Sequence, residues 1–250
     1  MKIEETDDVA LLRLDVGKAN AIGVAFLNGV NGLLDQVDGS DARSLVLTGY
    51  DKYFSAGLAL PELIGYSRDE HLSFLELFSE TMLRVYAQKR PVIAAINGHA
   101  VAGGCVLALQ TDLRVMADGP TKIGLNEVQI GLALPPVVIE TLRAQVPASS
   151  LMPIALRGKL FSPKEAETLG LVDEVVDQGR VESRAIDHAQ ALGALSPSAF
   201  SQIKLALRQP VIDAVKRDQA LIVNWVDNWF TEATQKTLRA VVEKITAKKQ

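Results

Sequence analysis

Cysteine is nearly absent: Cys105 stands alone in 250 residues, which excludes an internal disulfide and any metal site built on paired thiolates. Histidine is almost as scarce, and His71, His99 and His188 lie far apart without metal-ligand spacing. No basic stripe interrupts a chain of formal net charge −4, which argues against a nucleic-acid partner. No apolar run reaches the roughly 18 residues of a membrane span. The acidic start MKIEETDDVA has neither the basic region of a signal peptide nor an Arg-rich transit pattern. Low-complexity tracts and linkers rich in Gly, Pro or Ser are missing as well. Together these absences predict a soluble cytoplasmic protein that binds no nucleic acid and enters no membrane.

What is present is apolar content of 48%, enough for one domain with a substantial core. Short apolar runs alternate with helical patterns in the first half. Val9–Leu14, SLVLT at Ser44–Thr48, PVIAAIN from Pro91 and LRVMA from Leu113 read as strands, the second being apolar enough for burial on both faces. Helices are predicted over Ala25–Asp35, from about Arg68 to Gln88, and from Gly103 to about Thr111. Strands alternating with helices imply an α/β fold with parallel pairing.

In the second half Ser162-Pro163-Lys164-Glu165 has the form of a capping box, Gly170 stops that helix, and LVDEVV follows as a strand. Ser196-Pro197 starts another helix, and the tail from about Val211 to Lys248 is predicted mostly helical. Val223, Val226, Trp229 and Phe230 recur there at helical spacing and require a surface to cover, in this domain or on a neighbouring subunit. The chain is therefore divided into a catalytic core, residues 1–195, and a helical extension, 196–250.

Three segments carry candidate chemistry. Phe54-Ser55-Ala56-Gly57-Leu58 and Asn97-Gly98-His99-Ala100-Val101-Ala102-Gly103-Gly104 place glycines where a strand gives way to a turn or helix. Free N–H groups and the helix dipole there favour negative charge, and glycine admits a ligand close to the backbone; a tight strand-to-helix connection is the plainer reading. The spacing Gly98-x4-Gly103 imitates a P-loop, but Gly104-Cys105 occupies the places of the required Lys and hydroxyl residue. Neither a G-x-G-x-x-G after a strand nor a G-x-S-x-G elbow occurs. In the third segment, Lys122-Ile123-Gly124-Leu125-Asn126-Glu127-Val128-Gln129-Ile130-Gly131, the carboxylate of Glu127 sits among apolar residues and glycines. Such surroundings raise a carboxylate pKa toward neutrality, as a general base needs, whereas an ordinary loop Glu is solvated or caps a helix.

In order, FSAGLAL, INGHAVAGGC and IGLNEVQIG resemble the crotonase (enoyl-CoA hydratase/isomerase) superfamily over nearly the whole chain. The resemblance implies a spiral of ββα units with a C-terminal helical trimerisation region, assembled as a homotrimer or a dimer of trimers. It implies an acyl-CoA thioester as substrate and no further cofactor or metal. An oxyanion hole for the thioester oxygen would come from the N–H groups of Leu58 and Gly103, each contributing about 3 kcal/mol to the developing charge. Hydratases of the family carry two glutamates. The second matches Glu127, but the first, three residues after the oxyanion glycine, is Val106 here. This argues against hydration.

One carboxylate suffices to move a proton from C2 to C4 of a 3-enoyl thioester, the reaction of the Δ3,Δ2-enoyl-CoA isomerases. The apolar Val106 and the Leu-Asn-Glu triplet resemble the mitochondrial-type members of that branch. Hydrolysis or carbon–carbon cleavage of a CoA compound by the same glutamate is the alternative within the superfamily, and a non-catalytic acyl-CoA-binding subunit the alternative outside enzymes.

By the same resemblance Lys18, Ala19, Ala21, Ala56 and Gly57 fall where the family holds CoA, with Ala59, Leu60 and Asn126 beside them. Ala59 replaces the Asp of the common A-G-x-D pattern. Asn126 either orients Glu127 or faces away; Lys18 either meets a phosphate or is solvated. Leu60, Leu63, Phe74 and Phe78 are open to a role in the acyl pocket or in the core. Cys105 reads as a small buried hydrophobe, His99 as a turn residue, and the pair Trp225 and Trp229 as packing.

Overall fold

The computed structural model describes residues 1–247. Its strands are, in chain order, β1 (Lys2–Thr6), β2 (Val9–Arg13), β3 (Ser44–Thr48), β4 (Tyr53–Ser55), β5 (Val92–Ile96), β6 (His99–Val101), β7 (Leu113–Ala117), β8 (Ile123–Gly124) and β9 (Glu174–Val176). The larger sheet runs β1-β2-β3-β5-β7-β9 and the smaller β4-β6-β8. Apart from the antiparallel β1–β2 pair, every strand pairing is parallel.

The helices of the core are α1 (Val24–Asp38), α2 (Leu60–Leu63), α3 (Arg68–Tyr86), α4 (Gly103–Leu109), α5 (Pro136–Gln145), α6 (Ala148–Leu156), α7 (Pro163–Thr168) and α8 (Val181–Gly193). The tail forms α9 (Pro197–Arg217), α10 (Ile222–Trp229) and α11 (Glu232–Ala247). Strand order and helix order together describe a spiral. Three successive units each put one strand into the large sheet and the next into the small sheet, then leave through a helix: β3-β4, β5-β6 and β7-β8. Parallel neighbours lie about 4.8 Å apart, so the C-terminal ends of β4, β6 and β8 emerge side by side. Ligands of parallel sheets bind beyond such ends.

Burial explains the pattern of the strands. Every residue of β3 and β5 is buried, as their continuous apolar runs require. One face of the large sheet, with Val9, Leu11, Val46, Ile93, Ala95 and Val115, is covered by Val181, Ala185 and Ala189 of α8. Spaced four apart, these residues form a single stripe, and the two alanines let the helix lie close to the sheet. The alternate residues Ala10, Leu12, Leu45, Leu47, Ala94 and Ile96 face the main core. Full burial of each larger aliphatic side chain contributes about 2 kcal/mol.

Helix α9 is held by charge. The carboxylate of Asp112 accepts from the Val92 N–H at 2.7 Å and pairs with Lys204 at 2.6 Å and Arg208 at 2.7 Å. Arg208 also donates to the carbonyls of Tyr86, Gln110 and Thr111, and its guanidinium lies 4.1 Å from the centre of the Tyr86 ring. Beyond it, Val226, Trp229 and Leu238 of α10 and α11 join the main core, while Val223 and Phe230 remain exposed. The apolar tail thus covers its own chain along one face only.

Several boundaries differ from the sequence expectation. The helix expected to reach Gln88 ends at Tyr86, and it starts with a capping box of Ser67 and Glu70. Helix α4 stops at Leu109, because Thr111 Oγ1 turns back to the Ala108 carbonyl at 2.8 Å. Of LVDEVV only Glu174–Val176 is strand; Leu171 N–H is taken by the Ala166 carbonyl at 2.9 Å, so the run begins as a turn. The box at Ser162 and Glu165 forms as expected. His99 lies in β6 rather than in a turn, and its Nδ1 accepts from the Lys122 N–H at 3.1 Å. Lys248, the expected end of the tail, lies outside the described residues. Among the described residues no helix is long and apolar enough to cross a membrane.

Candidate active site

The three motifs follow directly on the three strands of the small sheet. Gly57-Leu58 comes after β4, Gly103 opens α4 after β6, and Glu127 begins a 3-10 turn, Glu127–Ile130, after β8. Adjacency of the strands therefore brings together residues far apart in sequence. Leu58, Gly103, Val106 and Glu127 line one cavity, together with Phe78 and Trp225.

The first loop is built on backbone hydrogen bonds. Ile22 lies alongside Leu58, its N–H donating to the Gly57 carbonyl at 2.8 Å and its carbonyl accepting from Ala59 N–H at 3.0 Å. Ala56 N–H donates to the Ala19 carbonyl at 3.0 Å, which ties the Lys18–Ala21 segment to the same loop. These bonds hold the loop through its backbone. Asn20, fully buried, stitches the segment from within: its Oδ1 accepts from Val16 N–H, and its Nδ2 donates to the carbonyls of Leu14 and Phe54. Asn20 stands inside the Lys18–Ala21 segment that the resemblance assigns to CoA, and its backbone is left-handed, φ 51°, a conformation that Asn tolerates better than most residues.

Two N–H groups remain free to meet a ligand. Gly103 is the first residue of α4, so its N–H has no acceptor within the helix. The Leu58 N–H appears in no backbone hydrogen bond among the described residues. Gly57 has φ 89°, and a Cβ there would meet the Val101 carbonyl oxygen at 2.9 Å. At Gly104 a Cβ would stand 2.3 Å from the Ser55 carbonyl oxygen. Ala102, immediately before Gly103, is held at φ 50°, ψ −120°. Such strain in a residue with a side chain gathers where a site must hold its geometry.

Glu127 is 9% exposed, and its Oε2 is buried without a hydrogen-bond partner. Burial pushes its pKa up to about 7, against a smaller opposing pull from its own N–H. The same carboxylate, after burial itself, holds the Cys105 thiol above its ordinary range. Cys105 is fully buried, as expected of a small hydrophobe. A neutral-range carboxyl in an apolar cavity, near two free N–H groups, has the properties of a general base beside an anion site.

Of the residues left open in sequence, Leu60, Leu63, Phe74 and Phe78 all belong to the core, and Phe78 also lines the cavity. Ala59 and Asn126 lie next to the lining residues without being among them, and Lys18 is exposed. Trp225 packs in the core as expected. It stacks on Trp229, centroids 5.2 Å apart, and also closes the cavity that holds Glu127. Nothing in its spacing could have revealed that, since the contact is made across the fold. Among the described residues no group of three or more His, Cys, Asp or Glu could hold a metal ion.

Comparison with known proteins agrees with this architecture. The human mitochondrial enoyl-CoA delta isomerase 1 is 30% identical over 246 residues, covering 96% of this chain and 81% of the human protein. The crystal structure of human mitochondrial Δ3,Δ2-enoyl-CoA isomerase superposes with a TM-score of 0.93 at 30% identity, covering 100% of both chains. A putative enoyl-CoA hydratase of Thermus thermophilus is 34% identical over 226 residues, 85% of this chain and 86% of that one. The enoyl-CoA hydratase/isomerase family pattern matches residues 4–249, and the chain belongs to that family.

Proposed function

We propose that this chain is a Δ3,Δ2-enoyl-CoA isomerase in which Glu127 is the sole acid and base. The observation that carries this reading is one buried carboxylate in a cavity also lined by Val106, the position where hydration would need a second. Glu127 removes a proton from C2 of a 3-enoyl thioester. The electrons move onto the thioester oxygen, where the N–H groups of Leu58 and Gly103 stabilise the charge. As the carbonyl re-forms, C4 takes the proton back from Glu127 and the double bond lies between C2 and C3. One proton leaves, one returns, and no other co-reactant or cofactor is consumed.

The CoA portion lies along Lys18, Ala19, Ala21, Ala56 and Gly57, two segments joined by the bond from the Ala56 N–H to the Ala19 carbonyl. Ile203 and Leu207, exposed on α9, support assembly of several copies, read as a homotrimer or a dimer of trimers. The test is incubation with a 3-enoyl-CoA while following the absorbance of the conjugated thioester. Turnover by the wild type and its loss in Glu127→Ala support the reading. Equal rates in the two proteins, or release of free thiol without conjugation, overturn it.

A further inference from the structure

The cavity that holds Glu127 has a volume of only about 20 Å³, room for about one water. Its outer wall is made by Ala133, Pro135 and Trp225. The same three residues line a second space of about 260 Å³, a groove between α5 and the start of α10 that also includes Ile139, Leu221 and Asn224. These shared residues stand between the cavity of Glu127 and a larger groove.

Trp225 is the bulk of that wall, and it is held from three sides. Its Nε1 donates to the Ala133 carbonyl at 2.9 Å, Trp229 stacks on it, and His71 lies behind the pair, 6.1 Å and 4.4 Å from the two ring centres. The side chain is 3% exposed. A ring fixed by a hydrogen bond at its edge and stacking on its face is a wall, not a swinging gate.

We infer that Trp225 sets the acyl chain length this enzyme accepts, by closing the space beyond C4 of the substrate against the groove between α5 and α10. The cavity admits any acyl group only as its other walls yield; a short one then ends before the fixed indole. Longer ones need the volume that the indole occupies, and on its removal they pass between Ala133 and Pro135 into the groove. This rests on the acyl-CoA reading above.

The experiment compares a six-carbon and a twelve-carbon 3-enoyl-CoA as substrates, and the matching saturated acyl-CoAs as ligands by calorimetry. The wild type is expected to favour the six-carbon compound at least tenfold in kcat/KM and in affinity. Trp225→Ala should shift both ratios at least tenfold toward the twelve-carbon compound. Trp225→Phe, which keeps an aromatic ring on Trp229 but loses the bond to Ala133, should fall between and serves as the test if the alanine variant does not fold. Unchanged binding ratios in the variants, or a wild type indifferent to chain length, overturn the inference. Selective binding without turnover leaves it standing and overturns the isomerase reading instead.

Discussion

The backbones of Gly57 and Gly103 approach so closely that a Cβ on Gly57 would stand 3.3 Å from the Gly103 nitrogen. Such an approach needs glycine at position 57, where φ is +89° and a Cβ would also meet the Val101 carbonyl oxygen at 2.9 Å. The glycines around this contact differ sharply in what surrounds them, so their substitutions separate stability from activity.

Gly104→Ala brings a methyl against the Ser55 carbonyl oxygen, and neither the strand nor the helix can yield. It is expected to destabilise the protein by about 2 kcal/mol or more in urea unfolding. Gly57→Ala adds left-handed strain and a clash with Val101 O, and should lower kcat by about 10²-fold by displacing the Leu58 N–H. Gly103→Ala meets only the flexible end of Ile22 at 2.9 Å and should be the mildest of the three. A reversed order of stabilities would contradict this account of the loop.

In the proposed reaction Glu127 acts as a base only when ionised, and burial holds its pKa at about 7 instead of 4.5. The wild-type kcat/KM should therefore rise about tenfold per pH unit below neutrality and level off above it. Glu127→Gln should lower kcat by about 10³-fold at every pH. A profile already flat at pH of about 5 would show that the active base is another group.

The same shift makes Glu127 a cost to the fold. Between 4.5 and about 7 the folded protein binds the proton more tightly than the unfolded chain, so stability falls as pH rises through that window. Glu127→Gln removes the dependence. Measured by urea unfolding, the variant should gain on the wild type at pH of about 8 and lose the advantage at about 4.

Arg208 satisfies three carbonyls and half of the Asp112 carboxylate from a position 7% exposed. Arg208→Leu should cost about 3–5 kcal/mol, because the oxygens it serves stay buried without their donor. Loss of under about 1 kcal/mol would mean that Lys204 alone holds α9 to the sheet.

His71 is fully buried among Tyr66, Trp229 and Phe230, and neither ring nitrogen makes a well-formed hydrogen bond. Burial lowers its pKa below 6.5, so the unfolded chain takes up the proton first and stability declines as pH falls through and below that value. His71→Phe keeps the shape and removes the titration. Its melting temperature should match the wild type near pH 8 and exceed it near about 5.

Much of this was legible in the residues. The buried strand Ser44–Thr48, the capping box at Ser162 and the α/β alternation follow from local rules, because each depends on neighbours in sequence. The ordered motifs picked out Leu58, Gly103 and Glu127, which the fold gathers with Val106 around one cavity. Local pattern could not place Trp225 against Glu127, or Asn20 beneath the oxyanion loop. Trp225 and Glu127 stand about a hundred residues apart in sequence and meet only at one cavity of the folded chain, and the bond from Asn20 to Phe54 spans 34 residues. The same holds for the pKa of Glu127. Its sequence neighbours suggested an apolar setting, but the desolvation that carries it to about 7 comes from the cavity walls, which only the folded chain assembles.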